Sequence, residues 1–343
     1  MRACLIADVN DCLAWRTTPV AELNRVTDPG GGLKWTLPLL DHRLQAVVTD
    51  DSVRIRLRAA ALHEQRRSAT FDAIAAATIA RLNGVDVVPM LSRGQALALN
   101  GGYSTSALRH RHDLDILVPT GSMPTAIKAL VEDGYAPLSA AEGARLRHPT
   151  GLFVVLHEQP LPFPEDHLDK ETLWREAIRF KLGAANYLTP SPTHLLLHTL
   201  LLAGGSPPGA PLVWACDAFR AASHPDVDWM RISGTRDAAA ATVLRGLSYL
   251  AARLSAPVPR YVIDRLRQTT EALPRRDLDT ALFRLQRACE LRAMVGGRGR
   301  TLAWLAPWIL APDPDAMLAD GRKQTVLISY LGRLATYRRA RTS

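Results

Sequence analysis

The sequence predicts an α+β protein, in which a small unit of alternating strands and helices is followed by a mainly helical C-terminal domain. Short apolar runs alternate with helical patterns between residues 85 and 157, and helical patterns dominate after Pro164. Hydrophobic residues make up 47% and charged residues 22% of the 343 residues, which is typical of a globular protein with a substantial core.

The elements of the first half are bounded by residues that end regular structure. Asn83-Gly84, Gly101-Gly102 and Gly134 each follow a helical pattern. Pro119 and Pro149 lie beside two predicted strands. In chain order we expect a helix over 52–83, a strand over 85–91, a helix over 94–100, a strand over 113–118, a helix over 123–133 and a strand over 151–157.

The second half of the sequence shows helical periodicity almost throughout. We therefore divide the chain into an N-terminal segment of unclear role over 1–50, an α/β core over 51–165 and a helical domain over 166–343. Within the helical domain we expect helices over 172–182, 192–203, 212–222, 238–254, 261–272, 278–294 and 326–341.

The chain is basic, with 42 Lys and Arg against 33 Asp and Glu, a formal net charge of +9 and a pI near 9.8. This excess favours an anionic partner. Only five of the 42 basic residues are lysines, however, so an arginine-rich coding bias explains the charge as well as a binding surface does. Sequence-independent binding of nucleic acid through the arginines is an open but less favoured alternative, because aromatic residues, on which the bases of single strands stack, make up only 6%.

Cysteines and apolar runs indicate the compartment. The four cysteines lie too far apart for a zinc cluster and are too few for a disulfide framework, so we expect a reducing, cytoplasmic location. The apolar stretches over 195–203 and 302–311 are interrupted and fall short of the ~20 residues of a membrane-spanning helix. We therefore expect no membrane association.

Two carboxylates stand out in the strand predicted over 113–118. Side chains alternate between faces along a strand, so Asp113 and Asp115 share one face while Leu114 and Ile116 point into the core. Adjacent carboxylates repel each other unless a cation lies between them, and hard oxygen ligands suit Mg²⁺ (or Mn²⁺) that holds a triphosphate. An isolated pair of this kind is also compatible with solvated aspartates at a strand end.

The segment before these aspartates suggests where phosphates would bind. Gly94 follows the strand predicted over 85–91 and begins a helix, whose free N–H groups and positive dipole end attract anions. Arg93, Arg109 and Arg111 are basic residues placed to add contacts to a triphosphate. Strand, glycine, helix and then paired aspartates on the next strand form a more specific pattern than either part alone.

The chain resembles the uncharacterised bacterial nucleotidyltransferase family of the polymerase-β-like superfamily, from about residue 57 to residue 232. The resemblance implies a mixed sheet that carries metal-binding Asp113 and Asp115, and a nucleoside triphosphate as substrate. It also implies in-line attack of an acceptor on the α-phosphorus with release of pyrophosphate. The matching residues are Leu91–Gly94, Tyr103, Arg109, Asp113–Val118, Gly134-Tyr135, His157, Trp174, His198 and Trp214–Asp217.

The sequence departs from the family pattern at two positions. Arg93 stands where the family usually has lysine. The third strand commonly offers a carboxylate two residues before its histidine, and Val155 stands there, while Glu158 points to the opposite face. His157 shares the face of Val155, and we predict it as a catalytic base or phosphate contact, with a purely structural role as the open alternative.

The sequence therefore supports two hypotheses about function. The first is Mg²⁺-dependent transfer of a nucleotidyl or related phosphoryl group to a small molecule or peptide, with the acceptor pocket in the helical domain. Members of this family often occur with natural-product peptide pathways. The resemblance therefore implies a modified peptide or a small hydroxylated metabolite as acceptor. The second is a catalytically silent protein of the same fold that binds a nucleotide, peptide or protein. Zinc at His110 and His112, or at His194 and His198, is less supported because no further ligand completes either set.

Overall fold

A computed structural model of the chain describes residues 34–45, 47–48, 50–139, 144–159, 169–204 and 213–271, with a few isolated positions before residue 34. Seven strands in these residues form one mixed sheet, as the resemblance implied. The strands are β1 Met90–Leu91, β2 Asp113–Leu117, β3 Ala136–Ser139, β4 Ala144–Arg147, β5 Phe153–His157, β6 Ile178–Leu182 and β7 Ala185–Thr189. Across the sheet their order is β3-β4-β5-β2-β1-β7-β6.

Ten α-helices and two 3₁₀ helices accompany the sheet in the described part of the chain. The 3₁₀ helices are Lys34–Thr36 and Ser106–Leu108. The α-helices are α1 Leu37–Leu44, α2 Asp51–Asn83, α3 Arg93–Leu99, α4 Met123–Glu132, α5 Lys170–Arg175, α6 Pro192–Gly204, α7 Val213–Ala222, α8 Trp229–Ser233, α9 Asp237–Leu254 and α10 Arg260–Glu271.

The strand β2 lies at the centre of the sheet. It pairs with β1 in antiparallel and with β5 in parallel orientation. Leu114 and Ile116 are fully buried and pack with Val154 and Leu156 of β5 in the core on one side of the sheet. The alternation of side chains therefore turns the aspartates of β2 to the other side, as the sequence predicts.

The helix α2 covers the core side of the sheet. Its first turn is capped by Asp50, whose side chain accepts a hydrogen bond from the backbone N–H of Val53. Phe71, Ala75 and Ile79 recur at helical spacing and are buried against the sheet. The helix predicted over 52–83 is confirmed, and apolar residues recur at helical spacing in its C-terminal half.

The helix predicted over 172–182 is wrong in its second part. A helix covers only Lys170–Arg175, and Ile178–Leu182 is the edge strand β6, which pairs with β7 around Gly183. Phe180 stacks on Tyr187 across this pair, with ring centroids 5.8 Å apart. The sheet thus extends past residue 165, while the division of the chain into three domains stays a prediction.

The later helices form a second apolar core. The helices α6, α7, α9 and α10 match the helices predicted over 192–203, 212–222, 238–254 and 261–272. Close packing between α6 and α9 depends on Gly246, where an added Cβ would lie 2.6 Å from a methyl carbon of Leu200. The helices predicted over 278–294 and 326–341 lie outside the described residues. Among the described helices, none has the length and hydropathy needed to cross a membrane.

Candidate active site

The carboxylates of Asp113 and Asp115 lie on one face of β2. Asp113 is half-buried and Asp115 is buried. The register of the parallel neighbour β5 places Phe153 opposite Asp113 and Val155 opposite Asp115. Two acidic side chains therefore stand side by side above the centre of the sheet, on the face away from the core of Leu114 and Ile116.

Asp115 is held by two donors from neighbouring elements. Arg93 Nη1 donates to Asp115 Oδ2 at 3.1 Å, and His157 Nε2 lies 3.1 Å from Asp115 Oδ1. Burial raises the pKa of Asp115, but Arg93 and His157 outweigh this effect and hold the pKa at about 2. Because an ionised carboxylate only accepts hydrogen bonds, Nε2 of His157 carries the proton, and in the neutral ring Nδ1 has the lone pair.

Asp113 has the opposite electrostatic environment. Burial raises its pKa, and the negative charge of Asp115 raises it further. Arg93, Arg145 and His157 lower the pKa of Asp113, but they offset only part of this effect. The ionised form of Asp113 is thus disfavoured beside Asp115, and a bound cation would stabilise it.

Arg93 reaches Asp115 because of the turn between β1 and α3. Arg93 has a φ of +56°, in the left-handed region that residues with a Cβ rarely adopt. It directly follows Ser92, which has extended backbone, and it is the first residue of α3. The sharp change of direction places its side chain, which is 37% exposed, over the carboxylates of β2.

The sequence predicts that phosphate binds beside Gly94, but the structure leaves no open space there. The guanidinium of Arg109 fills the space beside it, and an added Cβ would lie 2.5 Å from Arg109 Nε. Arg109 in turn donates from Nε and Nη2 to the buried carboxylate of Asp217, at 2.7–3.0 Å. Tyr103 donates to the same carboxylate at 2.8 Å. Arg109 therefore belongs to a buried ion-pair network beside Gly94, and its guanidinium is committed to Asp217 rather than to a phosphate.

Arg111 is also placed inside the protein. Its side chain is 2% exposed, and Nη1 donates to Asp72 Oδ1 at 2.7 Å. The guanidinium carbon lies 4.5 Å from the centre of the Phe71 ring. Arg111 thus ties β2 to α2, and its burial leaves it no surface on which to meet a triphosphate.

The described residues supply no third acid opposite the aspartates. Val155 is the direct cross-strand neighbour of Asp115. Glu158, on the other face, accepts a hydrogen bond from the backbone N–H of Gly121 at 2.8 Å. Among the described residues, no group of three His, Cys, Asp and Glu side chains could hold a metal ion.

The two aspartates nevertheless fit Mg²⁺ better than they fit zinc. Structural and catalytic zinc sites require three or four protein ligands. Mg²⁺ commonly uses one or two carboxylates and completes its shell with substrate phosphates and water. The pair of Asp113 and Asp115 meets that requirement, provided that Arg93 gives up or shares Asp115 Oδ2.

The histidines that the sequence offered as zinc ligands have other partners. His110 Nδ1 lies 2.7 Å from Glu64 Oε2, and the His110 ring stacks on Trp35 at 5.7 Å. His194 is fully buried and contacts Ser191 Oγ through Nδ1 at 2.9 Å. His198, on the same helix, is buried as well and contributes to the low pKa of Asp115. The structure thus brings His198 near the site, which spacing along the sequence did not indicate.

The strand β4 adds two arginines that the sequence analysis missed. Arg145 is the cross-strand neighbour of Val155, and Arg147 that of Phe153, so both face the same side as the aspartates. The available signal was the alternation of Ala144, Arg145, Leu146 and Arg147, which is typical of a half-buried strand.

The chain is similar to proteins described as nucleotidyltransferases or nucleotidyltransferase-like. The sequence profile of a family described as uncharacterised nucleotidyltransferase matches residues 36–257, more than half of the chain. A structural comparison aligns 58% of this chain with 92% of an antigenic nucleotidyltransferase-like protein from Paracoccidioides brasiliensis, at 14% sequence identity and a TM-score of 0.38. No curated protein matches the chain. The family description indicates nucleotidyl transfer as the general class of reaction.

Proposed function

Because the chain belongs to the uncharacterised nucleotidyltransferase family, we propose that it transfers a nucleotidyl group from a nucleoside triphosphate to a hydroxyl or similar acceptor. The acceptor is a small molecule or a peptide, such as a modified peptide of a natural-product pathway. The observation that carries the proposal is the pair of carboxylates of Asp113 and Asp115 on one face of β2, beside the partly exposed Arg93.

In this reaction the acceptor oxygen forms a bond to the α-phosphorus while the bond to pyrophosphate breaks. Asp113 and Asp115 would hold Mg²⁺ or Mn²⁺, and the metal would offset the charge that develops on the phosphate oxygens. Arg93 is partly exposed and lies at the first turn of α3, so its guanidinium can move from Asp115 to a phosphate oxygen.

His157 has two roles in the proposal. Its Nε2–H holds Asp115 in place through the 3.1 Å hydrogen bond. Its Nδ1 lone pair is then the group that takes the proton of the acceptor hydroxyl. We therefore expect His157→Gln, which can still donate to Asp115, to retain nucleotide binding and to lose most of the transfer rate.

The direct test is isothermal titration of ATP, CTP, GTP and UTP in the presence of Mg²⁺. We expect at least one nucleotide to bind, and we expect Asp113→Ala and Asp115→Ala to abolish the Mg²⁺-dependent part of that binding. Arg179→Gln on the edge strand β6 removes an exposed charge elsewhere on the sheet and serves as the control. If none of the four nucleotides binds, the proposal is wrong.

A second candidate function is supported by Val155, which lies directly opposite Asp115 where an acid would be expected to help bind metal or accept a proton. In this case the protein binds a nucleotide, peptide or protein partner and transfers nothing. Release of pyrophosphate by the wild-type protein with a candidate acceptor would exclude it. This second function would be favoured if the wild type binds a nucleotide without releasing pyrophosphate and if Val155→Asp gains pyrophosphate release.

A further inference from the structure

Two exposed arginines of β4 face the same side of the sheet as the carboxylates. The register aligns Arg145 with Val155 and then with Asp115 across three adjacent strands. The neighbouring row aligns Arg147 with Phe153 and Asp113. Adjacent strands are about 4.8 Å apart, so β4 runs about 10 Å from β2. An arginine side chain can therefore reach a ligand bound above the aspartates.

The contacts of Arg145 and Arg147 differ from those of the buried Arg109 and Arg111. Arg145 and Arg147 are exposed, and neither forms an ion pair with a carboxylate among the described residues. The guanidinium carbon of Arg145 lies 4.1 Å from the centre of the Phe153 ring, which is opposite Asp113. This cation–π contact directs the charge of Arg145 toward the carboxylates and leaves its N–H groups for a ligand.

The position of the two arginines relative to Arg93 suggests which part of the reaction they serve. Arg93 follows β1, which lies on one side of β2, whereas β5 and β4 lie on the other side. In an in-line displacement the attacking oxygen and the leaving pyrophosphate lie on opposite sides of the phosphorus. If Arg93 contacts the leaving phosphates, the acceptor lies above β5 and β4, beside Arg145 and Arg147.

We propose that Arg145 and Arg147 bind an anionic group of the acceptor, so that the acceptor is a hydroxylated carboxylate or phosphate compound rather than a neutral one. The inference rests on the proposed function and names the substrate class for the same site. A guanidinium pair on a rigid strand recognises both anions through paired N–H donors. Val155, between the arginines and Asp115, adds no negative charge that would repel such an acceptor.

The test uses the full chain and two matched variants. Arg145→Gln/Arg147→Gln removes the proposed contacts, and Arg179→Gln/Lys181→Gln removes two exposed charges from β6, at the far edge of the sheet. Each protein is saturated with Mg²⁺ and the α,β-methylene analogue of the nucleotide that binds in the calorimetric test, because this analogue cannot transfer its nucleotidyl group. Glycerol 3-phosphate, glycerate and neutral glycerol are then titrated, and binding is followed by ligand-observed NMR. Nucleotide affinity is measured separately by calorimetry.

We expect glycerol 3-phosphate, glycerate or both to bind the wild type and the β6 control. We expect neutral glycerol to bind neither of these two proteins. Binding should weaken at least about tenfold in the β4 variant, with nucleotide affinity unchanged within about twofold. Stronger binding of one anion identifies the group that the acceptor carries. The inference is overturned if both anions bind all three proteins equally or bind none of them.

The remaining outcomes separate this inference from the proposed function. If nucleotide affinity falls in the β4 variant but not in the β6 control, the arginines hold the triphosphate. The acceptor assignment is then wrong, while the proposed function stands. If the wild type binds no nucleotide, the proposed function fails, and the acceptor assignment fails with it. Thermal unfolding of both variants excludes loss of the fold as the cause.

Discussion

Replacement of Gly94 by alanine should destabilise the protein through Arg109. Gly94 lies within α3 and does not have a left-handed backbone, so alanine can adopt its conformation. The new methyl group, however, would lie 2.5 Å from Arg109 Nε. The guanidinium cannot move aside without weakening its hydrogen bonds to Asp217, at 2.7–3.0 Å, in a site where that carboxylate is only 4% exposed.

The size of the effect follows from two opposing contributions. Separating a buried charge from its partner costs about 3–5 kcal/mol, because the remaining charge is left without compensation. Alanine is more favourable than glycine in a helix by up to about 1 kcal/mol. We therefore expect Gly94→Ala to lower the free energy of unfolding by about 2–4 kcal/mol.

Urea denaturation in two backgrounds tests this explanation. In the Arg109→Ala/Asp217→Asn background the guanidinium is absent, so Gly94→Ala should be neutral or stabilising by up to about 1 kcal/mol. An unchanged free energy of unfolding in the wild-type background would refute the reasoning. Equal destabilisation in both backgrounds would also refute it, since the cost would then not come from Arg109.

Three further predictions concern the charges at and near the site. Asp113→Asn removes the repulsion with Asp115 and should raise the free energy of unfolding by about 0.5–2 kcal/mol while abolishing transfer, and a destabilised variant would contradict this. Asp115 has a pKa of about 2 against an ordinary 3.8, so its ionised form stabilises the fold by roughly 2 kcal/mol, fully present above pH 4 and lost as pH falls toward 2. The difference in urea stability between wild type and Asp115→Asn should accordingly shrink from pH 7 to pH 3, and a constant difference would count against this assignment. Burial lowers the pKa of His194 from 6.5 to about 4, so the unfolded chain binds the proton first, and stability should fall by roughly 3 kcal/mol between pH 6.5 and pH 4. His194→Asn should reduce this pH dependence, as measured by urea denaturation across the range.

Much of the fold follows from local patterns in the sequence. The helix over Asp51–Asn83 begins after a capping aspartate, ends before Gly84 and shows apolar periodicity in its C-terminal half. The strand β2 follows from the alternation of aspartates with apolar residues. These elements are predictable because capping and periodicity act within a few residues.

The missed strands carry only short alternating patterns, which do not identify a strand without its neighbours in the sheet. The edge strand β6 reads Ile-Arg-Phe-Lys-Leu, an alternation that a helical pattern beginning at Thr172 obscures. It becomes a strand through its ladder with β7 and through the stacking of Phe180 on Tyr187. The strands β3 and β4 depend in the same way on β5, which supplies their cross-strand partners.

The candidate site shows a similar division between local and distant information. Asp113, Asp115 and the absence of an acid at Val155 are readable from alternation along single strands. Which arginines are buried and which are exposed cannot be predicted from the sequence. Arg109 pairs with Asp217, which is 108 residues later in the chain, and Arg111 pairs with Asp72 of α2.

The sequence by itself determined that a paired carboxylate would stand on one face of a buried strand, because a period of two residues fixes the side of each side chain. Only the tertiary structure decided which cations face that pair. A guanidinium is available to a ligand only if it stays at least partly exposed, and this depends on how segments that are distant in the sequence pack around it. Packing therefore assigns Arg109 and Arg111 to the interior, and leaves Arg93, Arg145 and Arg147 on the face where the aspartates lie.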